Sequence, residues 1–169
     1  MKILVVVDMQ VDFIAGALGS DAAKAIVPNI VDKVKNFDGE IIFTRDTHSE
    51  YYLNTQEGKK LPVPHCIKNT EGWQICDELK PYAAKVVDKE TFGSVDLPQI
   101  IKNIDNNIEA IEICGLCTDI CVISNAMILK AAFPEVRISV DGLCCAGVTT
   151  ESHNTALDAM KAVQIEIVS

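Results

Sequence analysis

No apolar run in this chain approaches the roughly 18 residues that a membrane-spanning helix needs, so no spanning segment is expected. An excess of positive charge is missing too. Fifteen Lys and Arg stand against 24 Asp and Glu, a formal charge of −9. Such a surface repels phosphate backbones and anionic lipid, so neither nucleic acid nor membrane is an expected partner. Low-complexity tracts, internal repeats and linker-like stretches are lacking, which argues against disorder and against a second domain. The start, Met1-Lys2 and a short apolar run ending at Asp8, has neither the length nor the small-residue cleavage site of a secretory leader. It is expected to be the first strand of the fold, in a cytoplasmic protein. The seven cysteines are an odd number, and with no export signal they do not suggest a disulfide framework.

What is present is a globular composition. Of 169 residues 49% are apolar, enough for one core, and residues 1–169 are expected to form a single domain. Ile3–Val7, Ile41–Thr44, Lys85–Val87, Ile108–Ile113, Val136–Val140 and Val163–Val168 are short, β-branched apolar runs without clean alternation. Such runs suit strands covered on both faces. Between them, Ser20–Phe37, Trp73–Leu79, Leu97–Ile104, Asp119–Phe133 and Thr149–Ala162 read as helices, the first and last opening on Ser or Thr caps. Strands alternating with helices predict a three-layer α/β/α, doubly wound sheet of about six mainly parallel strands. Residues 46–72 break the rhythm and hold two of the three histidines. A loop of that length in a compact domain is usually functional.

Ligands of doubly wound folds bind outside the carboxyl ends of the strands, so the polar residues at those ends carry the functional reading. Gly115-Leu116-Cys117-Thr118-Asp119 turns from a strand into a helix with Cys121 in its first turn. Unpaired N–H groups and the positive dipole end there favour a thiolate and could hold an oxyanion. An ordinary core cysteine at the start of a helix fits the position equally well. Cys114, Cys117 and Cys121 also have a C-x2-C-x3-C spacing, but a metal site of three thiolates in one turn lacks a fourth ligand. Asp8 ends the first strand and Lys89 follows the third. With a thiol they would form an acid–base–nucleophile set; without one, an ordinary buried ion pair. Asp46-Thr47-His48 puts two side chains on one side of an extended segment. With His65 as third ligand and Glu57 as fourth, it would bind a divalent transition metal. The alternative is solvated loop histidines. His153, on the last helix, is given no role.

These segments resemble the isochorismatase-like cysteine hydrolases and, within them, the nicotinamidases. The resemblance rests on Val5-Val6-Val7-Asp8-Met9-Gln10-Val11-Asp12-Phe13, similar to a strand ending in D-x-Q-x-D-F; on Arg45-Asp46-Thr47-His48; on Pro64-His65-Cys66 followed by Thr70-Glu71-Gly72; on Lys89 with Phe92-Gly93-Ser94; and on Gly115 to Val122, similar to G-[hydrophobic]-A-T-D-x-C-V. The matches follow the family's order and span nearly the whole chain. The resemblance implies that Cys121 is the nucleophile, Asp8 the general acid–base and Lys89 the cation completing a triad. It implies a cis peptide between Leu116 and Cys117, which would aim the N–H groups of Cys117 and Cys121 at a developing oxyanion. It implies one divalent metal ion (zinc, iron or manganese) on Asp46, His48 and His65, with Glu57 as a fourth ligand, and Phe13 packed on a substrate ring. The implied reaction converts nicotinamide to nicotinate and ammonia in pyridine nucleotide salvage. The alternatives are a cysteine amidase of the same fold acting on another small amide, ureido or carbamoyl compound, and a sensor module that has lost turnover. This chain departs from the family in having Cys117 where Ala is usual. It also has no aromatic beside Leu61-Pro62-Val63-Pro64, which leaves Tyr51, Tyr52 or Phe92 to wall the pocket. Self-association into a homo-oligomer is compatible with the sequence, but no residue in it specifies one.

Overall fold

The computed structural model describes residues 1–169. Six strands form one sheet: β1 (Lys2–Val7), β2 (Glu40–Asp46), β3 (Val86–Lys89), β4 (Ala110–Leu116), β5 (Arg137–Ala146) and β6 (Glu166–Val168). Their order is β3-β2-β1-β4-β5-β6, and every pairing is parallel. The doubly wound expectation holds. Ile3 to Val7 are fully buried, as befits a strand covered on both faces, and they anchor a core cluster of 35 residues. Helix α1 (Val11–Ile14) is one turn; α2 (Asp21–Asn36), α3 (Gln56–Lys60), α4 (Leu97–Ile104), α5 (Ile123–Ala132) and α6 (Thr150–Ala162) follow. The α2 helix starts where Ser20 accepts the Ala23 N–H. It buries Ala23, Ile26, Val27, Ile30 and Val34, a stripe at helical spacing. No helix is long and apolar enough to cross a membrane.

Strand order reverses between β1 and β4, and the crevice at such a switch point is where ligands of this architecture bind. Register then decides which side chains meet there. Val7 pairs with Gly115 and Asp46 with Lys89, so β1 and β4 end within a residue of each other, and β2 and β3 end together. Gly115 has φ +118°, and a Cβ there would lie 2.1 Å from the Val7 carbonyl oxygen. Only glycine admits that approach of β4 to β1.

Several boundaries differ from the sequence reading. The expected helix over Trp73–Leu79 is a series of turns. Its backbone is taken by the segment after β1, through Val11 N to Gln74 O, Asp12 N to Gly72 O and Cys76 N to Met9 O; tertiary pairing overrides the local helical pattern. β3 begins one residue later than expected and runs on to Lys89, where it pairs with Asp46. β4 continues past Ile113 to Leu116, and β5 past Val140 to Ala146. The expected helix from Asp119 begins as a π turn over Thr118–Val122 before α5. β6 covers only Glu166–Val168, because Val163–Ile165 close α6 through bonds to Met160 and Lys161.

Candidate active site

Asp8, Asp46, Lys89 and the cysteine turn meet at the carboxyl edge of the sheet. Asp8 leaves β1 with φ 48°, a left-handed conformation that Asp tolerates better than most residues. Its carboxylate is fully buried. Oδ1 accepts a hydrogen bond from Thr44 Oγ1 at 2.6 Å, and Oδ2 lies 2.6 Å from Lys89 Nζ. Lys89 Nζ also reaches Asp46 Oδ1 at 3.3 Å, the Thr91 carbonyl at 3.1 Å and Cys121 Sγ at 3.4 Å. One buried ammonium thus touches both carboxylates and the thiol. The peptide bond between Leu116 and Cys117 is cis.

Burial raises the Asp8 carboxyl above its ordinary value, although Lys89 pulls the other way. Burial opposes the charged form of Lys89, but Asp8, Cys121 and Asp46 outweigh it and keep the ammonium protonated. Cys121 is pushed well up, first by burial and then by the Asp8 charge, with Lys89 opposing. In the ligand-free site the helix start, which favours a thiolate, thus works against desolvation beside a carboxylate.

The second cluster adjoins the first. A parallel bridge between His48 and Ile67, with His48 N donating to Cys66 O, lays Pro64-His65-Cys66 alongside Asp46-Thr47-His48. One ligand atom each from Asp46, His48 and His65 falls within 4.8 Å of the others, all three residues being buried. Asp46 Oδ2 is 2.9 Å from His48 Nε2 and 3.6 Å from His65 Nε2, while Glu57 Oε1 lies 3.6 and 3.8 Å from the same nitrogens. His48 Nε2 is buried without a hydrogen-bond partner, the 2.9 Å contact lacking the alignment of one. The His65 Nδ1 atom is 2.8 Å from the Val63 carbonyl, which makes it the protonated nitrogen and leaves Nε2 free as a donor atom. Burial works against an ionised Asp46, yet the adjoining His48 and His65 rings and the charge of Lys89 keep its carboxyl below the usual range. Two imidazole nitrogens and a carboxylate, with one nitrogen otherwise orphaned, fit a divalent transition metal.

A cavity of about 50 Å³ lies between the clusters, lined by Phe13, Leu61, Phe92, Ile120 and Cys117 as well as Cys121, Asp46, His65 and Glu57. It adjoins a groove of about 720 Å³ that shares Glu57, Leu61, Phe92 and Ile120. Phe13 packs on His65 at 5.5 Å between ring centroids. Tyr52 stacks against His48 and His65 at 4.7 and 5.0 Å. Tyr51 is exposed and walls nothing. Every expected site residue is therefore gathered at this edge. The three-cysteine alternative is not: Cys114 is buried within β4, close to Cys144 and Cys145.

The sequence reading passed over three residues. Asn125, fully buried, donates to Cys121 O and Phe92 O and accepts from Ser94 N, tying the nucleophile helix to the loop after Lys89. Its signal was visible: a lone amide one turn beyond Cys121 in an apolar helix. Thr44 supports Asp8, but a threonine in a strand carries no distinguishing signal. His153 Nδ1 lies 2.7 Å from Thr118 Oγ1, joining α6 to the cysteine turn.

The Isochorismatase domain model matches residues 2–169. The chain belongs to the isochorismatase family. Among curated relatives in that family, the uncharacterized isochorismatase family protein PncA of Bacillus subtilis is 30% identical over 173 residues, covering 92% of each chain. The nicotinamidase of Saccharomyces cerevisiae is 24% identical over 217 residues, covering 99% of each. Among solved structures, the pyrazinamidase of Pyrococcus horikoshii in complex with zinc superposes with a TM-score of 0.86 at 28% identity, over 99% of this chain and 98% of that one. The isochorismatase-family fold and the doubly wound sheet thus describe the same molecule.

Proposed function

We propose that this chain, working as one catalytic domain, hydrolyses nicotinamide to nicotinate and ammonia through a thioester on Cys121. The observation that carries the reading is the meeting of Asp8, Lys89 and Cys121 at 2.6 and 3.4 Å around one ammonium, beside the Asp46–His48–His65 cluster. Full-length likeness to a nicotinamidase and to a zinc-complexed pyrazinamidase supports it.

The resting pair is a carboxylate and a thiol. Asp8 takes the Cys121 proton as sulfur attacks the carboxamide carbon, and Lys89 balances the charge that moves onto sulfur. Backbone N–H groups of the turn at Cys117 and Cys121 receive the oxyanion. Asp8 returns the proton to the departing ammonia, then activates the water that hydrolyses the thioester. Asp46, His48 and His65, with Glu57 in reach, would hold a divalent ion whose chemistry here is Lewis-acid coordination of the pyridine nitrogen. Zinc, iron and manganese all suit this donor set. Phe13 offers the ring an apolar face. We place the reaction in pyridine nucleotide salvage in the cytoplasm.

The test is ammonia release from nicotinamide by the purified, metal-loaded protein. Release with nicotinate as co-product is expected. Release only from ureido or carbamoyl compounds would overturn the substrate assignment.

A further inference from the structure

The segment that follows Asp8 carries two anchors, one buried and one half-buried, that the reaction itself does not use. Gln10 is fully buried. Its Nε2 donates to the carbonyls of Asp46 at 2.8 Å and Trp73 at 2.9 Å, and its Oε1 accepts the Asp46 N–H at 2.7 Å. One amide thus grips the peptide groups on both sides of Asp46 and uses its two donors and its acceptor to do so. Asp12 works on the other loop. Its Oδ2 accepts the N–H of Cys66, the residue after His65, at 2.7 Å, and its Oδ1 accepts from Ala17 N. Gly72 leaves room for this carboxylate, since a Cβ there would lie 2.2 Å from Asp12 Oδ2. The Gln10–Ile75 bridge and the bonds from Val11 and Asp12 to Gln74 and Gly72 pin the segment itself.

We infer that Gln10 and Asp12 are positioning residues of the metal centre, holding Asp46 and His65 at ligand separation before an ion arrives. The inference rests on the metal half of the proposed function. The physical reason is general: a ligand set fixed in advance loses less conformational freedom on binding, and outer partners of metal ligands commonly set affinity. Because both anchors sit on the segment leaving Asp8, they also fix the metal centre relative to the acid–base carboxylate.

The experiment measures Zn²⁺ affinity of the full-length protein, stripped with a chelator and titrated in competition with a zinc indicator. Gln10→Ala and Asp12→Ala should each bind Zn²⁺ about 10–100-fold more weakly than wild type, with Asp12→Asn, which keeps one acceptor oxygen, losing less. Hydrogen exchange at the Cys66 amide should speed up in Asp12→Ala. Ile138→Ala, a core truncation on β5, serves as a destabilised control and should keep wild-type affinity. Wild-type affinity in both anchor variants, or equal loss in the control, overturns the inference alone. No zinc binding by wild type overturns it together with the metal reading. The readout needs no turnover, so failure to hydrolyse nicotinamide leaves it standing.

Discussion

Replacing Lys89 by Met keeps the stem and removes the charge that joins the site. At an effective dielectric of about 20, attraction to Asp8 at 2.6 Å and Asp46 at 3.3 Å is worth about 6 and about 5 kcal/mol. Most of that offsets the cost of burying three ions, so the net loss on breaking the set is about 3–5 kcal/mol. For a chain of this size that lowers Tm by about 10 °C. The loss should depend on pH. Asp8 is already raised by burial, and without Lys89 it rises further. A carboxyl whose folded pKa exceeds its unfolded value weakens the fold above the folded pKa and regains stability as pH falls through it. Urea midpoints of metal-free Lys89→Met and wild type, compared at mildly alkaline and mildly acidic pH, read this directly. The deficit should shrink in acid, and turnover should fall by about 10²–10⁴-fold. An equal deficit at both pH values, or wild-type turnover, would refute the reasoning.

Three further outcomes follow from the same geometry. With its thiol raised by burial and Asp8, Cys121 in the ligand-free protein should alkylate with iodoacetamide more slowly than free cysteine at neutral pH, the rate climbing through alkaline pH; fast, pH-independent labelling would contradict this. His48→Ala should lower bound metal, measured by elemental analysis, and raise KM for nicotinamide; unchanged stoichiometry would remove His48 from the ligand set. Gly115→Ala should fail to accumulate as folded protein or lose several kcal/mol by denaturant titration, about the scale of severe core overpacking; wild-type stability would deny the close approach of β4 to β1.

The sheet was legible because four of the six expected strands, those of β1, β2, β4 and β5, are mostly buried apolar runs, whereas the edge strands β3 and β6 are partly exposed rather than covered on both faces, and because Asp8, Asp46, Lys89 and Cys121 each follow or end an expected strand. Local pattern could not reveal pairings between distant segments. Trp73–Leu79 reads as helix until residues 9–12 claim its backbone, and Gln10 and His153 acquire roles only from partners tens of residues away. A helix start is visible in sequence, whereas full burial beside Asp8 is a property of the assembled sheet edge.

The central claim is that Cys121 is acylated by nicotinamide. Wild-type protein, acid-quenched during turnover and digested, should yield the Cys121 peptide carrying a nicotinoyl thioester that Cys121→Ala lacks. Nicotinate and ammonia formed with no adduct under rapid quench, and at an undiminished rate by Cys121→Ala, would contradict the account.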